Sequence, residues 1–387
     1  MTRPQLDLDS RPILVFWEVT RACLLACRHC RAAAIPEPLP GELSTEEGTR
    51  LLESLTGFGR PYPVLVLTGG DVLMRRDVLE LAARARDLGL PVAVSPSVTP
   101  RLEPETLTAL RRAGVKIASL SLDGARAETH EGLRRVDGHF DATIAALRLV
   151  RDHGFNLQIN TVVRPENVEE LPEIAALVEE VGASIWEVFF LIRVGRGSDL
   201  AELSPEENED VCHFLVDASR YGFIVRTVEA PFFRRVVAWR REERECPTGP
   251  LYDRLSGRLR VLLGEPRFEP HAQTKGTRDG RGIVFVAYDG DVYPAGFLPL
   301  AVGNVREQSL VELYRQSPLL RRIRAAGFAG RCGRCEYADL CGGSRARAYA
   351  ASGDPFGEDP ACSYAPSRRL AERRSATGAF GGRARLR

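Results

Sequence analysis

The stretch Cys23–Cys30, "CLLACRHC", sets three thiols in a C-x3-C-x2-C spacing directly after an apolar run. Thiolates are the usual ligands of iron in clusters, whereas a structural zinc site takes four protein ligands. The one local fourth candidate is His29, which lies between two of the cysteines, where simultaneous ligation would be strained. Three thiols therefore read as holding three corners of a cubic iron–sulfur cluster, with one iron open to a substrate or cofactor.

The chain around this loop repeats one unit. "PILVFWEV" (12–19), "PVLVLT" (63–68), "PVAVS" (91–95), "VKIASLSL" (115–122), "NLQINTVV" (156–163) and "SIWEVFFL" (184–191) are short apolar runs of strand type. Helical patterns separate them. Ser44 and Glu47 form a capping box that starts one helix, and "DVLELAARARDLG" ends a second at Gly89. Six strand–helix units in series predict a parallel sheet with helical crossovers, an open and partial (β/α)6 barrel. Past residue 228 the pattern changes. "GIVFVAYDGDVYPAGF" predicts a hairpin turning at Asp289-Gly290, and a helix is expected near 308–326. The expected division is a barrel over 1–228, a connecting segment over 229–285, a small cysteine-bearing domain over 286–366, and a basic, disordered tail over 367–387.

Composition narrows the function. A formal net charge of +1 over 387 residues gives no reason to expect nucleic acid or an anionic membrane as a partner. No apolar run reaches the roughly 20 residues of a membrane helix, and the start "MTRPQLDLDSRP" has no signal-peptide stretch. The expectation is a cytoplasmic protein. Nine cysteines in a reducing compartment then point to metal, not to disulfides.

The cysteine spacing and the strand order resemble the radical S-adenosylmethionine (SAM) superfamily. The resemblance implies that Cys23, Cys27 and Cys30 hold a 4Fe-4S cluster whose open iron binds SAM, which is cleaved reductively to a 5′-deoxyadenosyl radical that abstracts hydrogen from substrate. "TGGD" stands where that family has a Gly-Gly-Glu motif, so Gly69, Gly70 and Asp71 are implied contacts of the SAM amino end, with Asp71 a shortened glutamate. Ser121 and Asp123 after the fourth strand, Asn160 on the fifth and His29 beside the last cysteine are further implied SAM contacts. His130 and His139 read as loop residues, and "RVGRG" (193–197) lacks the context of a phosphate loop.

Cys332, Cys335 and Cys341, with Cys362 in "DPACSY", resemble the C-terminal SPASM or twitch extension of radical SAM enzymes. That resemblance implies one auxiliary 4Fe-4S cluster on these four, since Ala295 and Ser344-Arg345 stand where ligands of a further cluster would be expected. Zinc is the alternative occupant, because C-x2-C with a later pair is also a zinc-ribbon spacing. Cys246 has no evident companions, and Cys212 reads as a buried helix thiol. An auxiliary cluster suggests net oxidation of substrate.

The C-terminal stretch is most similar to haem-pathway members of the family, which implies a tetrapyrrole carrying propionates. Arginines of "IRVGRG" and "GGSRARA" would pair with its carboxylates. A ribosomally made peptide is the rival substrate, and an electron-transfer or oxygen-sensing protein is the third reading. A reductant such as ferredoxin or flavodoxin is implied as partner.

Overall fold

The structure, a computed structural model, describes residues 7–273 and 276–366; the basic tail expected at 367–387 lies outside the described residues. Its strands are β1 (Leu14–Glu18), β2 (Val64–Thr68), β3 (Val92–Val94), β4 (Ile117–Ser121), β5 (Asn156–Val163), β6 (Ile185–Phe190), β7 (Ile224–Val228), β8 (Ile283–Val286) and β9 (Val292–Tyr293). They form one sheet in the order β7-β6-β5-β4-β3-β2-β1-β8-β9. All pairs are parallel except β8 with β9.

Helices α1 (Thr45–Leu55), α2 (Val78–Asp87), α3 (Pro104–Arg112), α4 (Ala127–Arg134), α5 (His139–Asp152), α6 (Leu171–Glu180) and α7 (Pro205–Ala218) make the crossovers. The six expected strands are present, and α1 starts on the expected capping box of Ser44 and Glu47. Two features extend the expected six units. Strand β7 was missed because Arg226 and Thr227 interrupt its apolar run. The expected hairpin, β8–β9, does not stand apart: β8 pairs with β1, so the sheet continues past the first strand.

Alternation within the strands decides what faces where. Val15, Trp17, Leu65, Leu67, Leu120, Ile159, Trp186 and Val188 turn outward into the helix layer and are buried in the main core. Their neighbours turn inward to a central cavity: Leu14 and Phe16 on β1, Val64 and Val66 on β2, Ser119 and Ser121 on β4, Gln158 and Asn160 on β5, Glu187 on β6 and Arg226 on β7. The inner face thus runs from apolar at β1–β2 to polar at β4–β7.

Beyond β7 come α8 (Phe233–Arg241) and α9 (Pro250–Leu263), and after the hairpin α10 (Leu310–Gln316), α11 (Pro318–Arg324), α12 (Gly330–Arg334) and α13 (Arg345–Ser352). The single helix expected near 308–326 is two. Pro318 keeps Ser317 out of the helical region (φ −51, ψ 125), and Ser317 then caps α11 by accepting from Leu320 N.

Candidate active site

The loop carrying Cys23, Cys27 and Cys30 leaves the C-terminal end of β1, the end at which barrel enzymes carry their chemistry. Its base is closed by Cys23 N donating to Ile35 O at 2.8 Å and Ile35 N to Arg21 O at 3.3 Å. From the α4 side, Arg28 N donates to Leu133 O at 2.9 Å. The "RVGRG" stretch after β6 clamps it from the other side. Arg196 donates from Nε to Cys27 O (2.9 Å), from Nη1 to Ala34 O (2.7 Å) and from its main-chain N to Cys30 O (3.0 Å). Gly195 lies so close that a Cβ there would stand 2.6 Å from Cys30 O, and its φ of +57 favours glycine for a second reason.

The two glycines of "TGGD" serve the same loop. A Cβ on Gly69 would meet Thr20 O at 2.5 Å, and one on Gly70 would meet Arg21 O at 2.7 Å. Gly70 N and Asp71 N donate to Thr20 O (2.8 Å) and Ala22 O (2.7 Å). The close approach these glycines permit is therefore to the chain's own backbone just before Cys23, while both also line the central cavity.

That cavity, of about 540 Å³, brings together Cys23, Cys27, Cys30, His29, Gly69, Gly70, Ser121, Asp123 and Asn160. Its volume is ordinary for a small-molecule site. The Nδ1 atom of His29 is buried with no hydrogen-bond partner among the described residues, and burial, with Arg134 nearby, pushes its pKa down to about 4.

Asp71 is not on this wall. Its carboxylate is fully buried and is taken up by Leu73 N (3.1 Å), Ser97 N (3.2 Å) and Thr99 Oγ1 (2.9 Å), so it ties the β2 loop to the β3 loop. Burial pushes its pKa up. Asp123 does reach the cavity. It pairs with Arg134 and accepts from Val162 N at 2.8 Å. Burial opposes its charge, but the Arg134 guanidinium still holds it down at about 2. Arg134 also donates to Cys27 Sγ at 3.7 Å.

His130 and His139, expected in loops, are instead buried on α4 and at the start of α5. Asp123 N donates to His130 Nδ1 (3.1 Å), which leaves His130 Nε2 to donate to His139 Nδ1 (2.9 Å) and His139 Nε2 to donate to Val98 O (3.1 Å). This chain of neutral rings fastens the β4 loop to the β3 loop.

The C-terminal cysteines also converge. Cys332, Cys335, Cys341 and Cys362 line one small cavity of about 30 Å³, with Arg235, Tyr337, Asp359 and Tyr364 around them. Among the described residues, no three Cys, His, Asp or Glu side chains close on a single point as they would around one metal ion.

A test of fit to iron–sulfur clusters lies in what the sulfurs accept. Main-chain N–H groups of Leu25, Ala34, Asp359, Tyr337 and Gly343 donate to Cys23, Cys30, Cys332, Cys335 and Cys341 at 3.4 to 3.5 Å. Cys27 accepts from Arg134, and Tyr364 N serves Cys362. Seven sulfurs set up as acceptors are seven sulfurs prepared to carry negative charge. The other two differ: Cys246 Sγ donates to Arg244 O at 3.2 Å, and Cys212 is sealed in the core, where burial drives its thiol far up. Burial also raises Cys341 to about 12 and Cys362 to about 11, so a bound cation would be what deprotonates them. The residues fit two clusters.

The arginines on the cavity are only in part the expected ones. Arg196 lines it, but Arg193 does not; Arg345 and Arg347 are buried in the C-terminal segment, donating to main-chain carbonyls of Pro355, Gly357, Glu229 and Leu191. Sequence reasoning missed Arg226, Arg234 and Arg278, which do line the cavity. Arg226 had a legible signal, a charged residue alternating with apolar ones on a strand. Arg234 and Arg278 had none.

Residues 17–178 match the Radical SAM superfamily, and residues 278–336 match SPASM, an iron–sulfur cluster-binding domain. The chain is 38% identical to the AdoMet-dependent heme synthase of Nitratidesulfovibrio vulgaris over 94% of its own length and 96% of that protein's. It is 32% identical to the Fe-coproporphyrin III synthase of Methanosarcina barkeri, over 92% and 89% of the two chains. The fold is shared with SuiB of Streptococcus suis bound to S-adenosylmethionine, with a TM-score of 0.67 at 15% identity, over 92% of this chain and 78% of that one. Relatives that match along nearly the whole chain, and a cavity walled by three acceptor thiols, lead to one conclusion: the protein belongs to the radical SAM superfamily and is a radical SAM enzyme with a C-terminal SPASM iron–sulfur domain.

Proposed function

We propose that this enzyme oxidatively removes the carboxylate of one or more propionate side chains of an iron tetrapyrrole, as a haem-forming step. The observation that carries the reading is the full-length similarity to AdoMet-dependent heme synthases. The polar inner face of β4–β7 and the arginines of the cavity support it. Turning –CH2–CH2–COO⁻ into –CH=CH2 releases one hydrogen atom, one CO2 and one electron. When bound on Cys23, Cys27 and Cys30, the cluster and SAM supply the 5′-deoxyadenosyl radical that takes the hydrogen atom.

The chain's own residues hold and exclude. Arg196, Gly195 and Gly70 brace the cysteine loop. Arg134 sets one guanidinium against both Cys27 and Asp123, offsetting negative charge at a buried site. Gly69, Gly70, Ser121, Asp123, Asn160 and His29 are assigned the surroundings of SAM. Asp71 is assigned to holding that surface, because its oxygens are already engaged. Cys332, Cys335, Cys341 and Cys362 would hold an auxiliary 4Fe-4S cluster, which would offer an acceptor for the released electron. A cytoplasmic ferredoxin or flavodoxin is the proposed reductant.

The test is anaerobic reconstitution followed by incubation with SAM, a reductant and Fe-coproporphyrin III. Expected is a porphyrin lighter by the mass of formic acid per side chain, with one 5′-deoxyadenosine for each. Release of 5′-deoxyadenosine with the porphyrin unchanged would overturn the tetrapyrrole reading, and a mass change in a supplied precursor peptide would replace it. Zinc in place of the second set of iron would remove the electron acceptor.

A further inference from the structure

The cavity arginines divide by partner: some are ion-paired, and others, Arg196 and Arg226 among them, hydrogen-bond only to neutral groups among the described residues. Arg31 is paired with Glu18 at 2.7 Å, and Arg134 with Asp123. Arg234 and Arg278, by contrast, make all their hydrogen bonds among the described residues to neutral main-chain carbonyls. Arg234 donates from Nη1 to Leu340 O at 3.1 Å and from Nη2 to Thr277 O. Arg278 donates from Nη1 to Ala338 O at 3.2 Å and from Nη2 to Ile323 O and Arg324 O at 3.4 and 3.3 Å. Arg278 is only 6% exposed, and its Nε has no partner.

A buried charge such as Arg278, held by carbonyl dipoles and by the Phe328 ring 5.3 Å away, is expensive, and the half-buried guanidinium of Arg234 nearby adds to the cost. Burial pushes both guanidiniums down to about 10, and Arg234 is among the charges that depress Arg278; the fields of Asp279 and Asp339 offset only part of this. An anion entering the cavity would relieve the cost, and a guanidinium fork is matched to a carboxylate.

We propose that Arg234 and Arg278 form the site that anchors substrate carboxylates, the propionates that hold the tetrapyrrole in place while another is oxidised. This rests on the tetrapyrrole reading above. The carbonyls that position the two arginines, Ala338 O and Leu340 O, belong to the loop that carries Cys335 and Cys341. Gly343 forms part of the wall of both the large cavity and the four-cysteine cavity. Substrate held here lies against the C-terminal cysteine site, where the released electron is to be received.

The experiment titrates Fe-coproporphyrin III into the anaerobic holoenzyme, following the porphyrin absorption band, with Arg234→Gln and Arg278→Gln alongside wild type. Each variant is expected to bind about tenfold or more weakly, the loss for one charged hydrogen-bonding partner. Arg278→Lys should recover part of the affinity. Iron content and circular dichroism establish that each variant is folded. Equal affinity in folded variants and wild type would overturn the assignment while leaving the tetrapyrrole reading intact. Failure of wild type to bind the porphyrin at all would overturn both. Should a variant not fold, wild type decides with the tetramethyl ester of the same porphyrin: binding as tight as that of the acid would sink the site, and much weaker binding supports it.

Discussion

Cys23, Cys27 and Cys30 stand on the wall of a cavity of about 540 Å³, whereas Cys332, Cys335, Cys341 and Cys362 surround one of about 30 Å³. Both sets receive N–H donors on their sulfurs, so both are prepared for clusters. They differ in what remains open. Three thiols facing a large space leave a place for a ligand on the metal; four thiols around a small one leave none. The first arrangement suits chemistry on a bound molecule and the second suits storing or passing an electron. Replacing the two sets separately breaks the comparison most directly. Cys23→Ala/Cys27→Ala/Cys30→Ala should abolish 5′-deoxyadenosine formation and keep the iron of the C-terminal set. Cys332→Ala/Cys341→Ala should lose that iron, still cleave SAM, and fail to complete substrate oxidation. Iron analysis and product chromatography on the same samples check both, and an unaltered product yield from the second variant would deprive the C-terminal site of its electron role.

Much of this contrast was legible in the sequence because the cysteine spacings are local. Three of the C-terminal cysteines fall within ten residues, and only Cys362 comes from further along the chain. The strands were legible too, since each is a short apolar run between turn residues. The direction of individual side chains was not. "TGGD" promised a carboxylate for SAM, yet Asp71 sits at the cap of a short 3-10 turn with φ −128 and ψ 115. That backbone turns its oxygens down onto Ser97 and Thr99. "GGSRARA" promised guanidiniums for a substrate, yet α13 begins there, and its capping by Ser344 turns Arg345 and Arg347 inward. Arg234 and Arg278 reach the cavity only because α8 and the segment before β8 are folded over it, a tertiary fact without a sequence period.

A second prediction sharpens the difference in how the two sets are held. The N-terminal loop depends on a clamp from a distant strand end, chiefly the two side-chain hydrogen bonds of Arg196 to Cys27 O and Ala34 O. Losing them to Ala costs about 1–3 kcal/mol, because two buried carbonyls give up their donors. Arg196→Ala should therefore release iron from the N-terminal set about tenfold or more faster under a chelator, with the C-terminal set unaffected. Equal release from both sets would mean that the clamp is not what secures the loop.

A third prediction concerns the contact between the two regions. Glu229 follows β7 on the large cavity, at a left-handed backbone angle (φ +59) uncommon for a residue with a side chain. It accepts a hydrogen bond from Ser344 Oγ. Burial, with Asp279 facing it, raises its pKa from the ordinary 4.5 to about 8, against the opposing pull of Ser344 and Arg347; Asp359 adds to the rise. The folded chain therefore keeps a proton that the unfolded chain gives up above pH 4.5. Since the native state binds more protons in this window, stability falls as pH rises from about 4.5 to about 8 and levels off above it. Glu229→Gln keeps the acceptor for Ser344 and has no proton to lose. Its denaturation midpoint, followed anaerobically on cluster-loaded protein, should vary less than that of wild type across this range and should exceed it at pH 8. Parallel pH profiles for the two proteins would show that Glu229 is ionised in the fold. That contact would then carry a negative charge beside the propionates that Arg234 and Arg278 are assigned to hold.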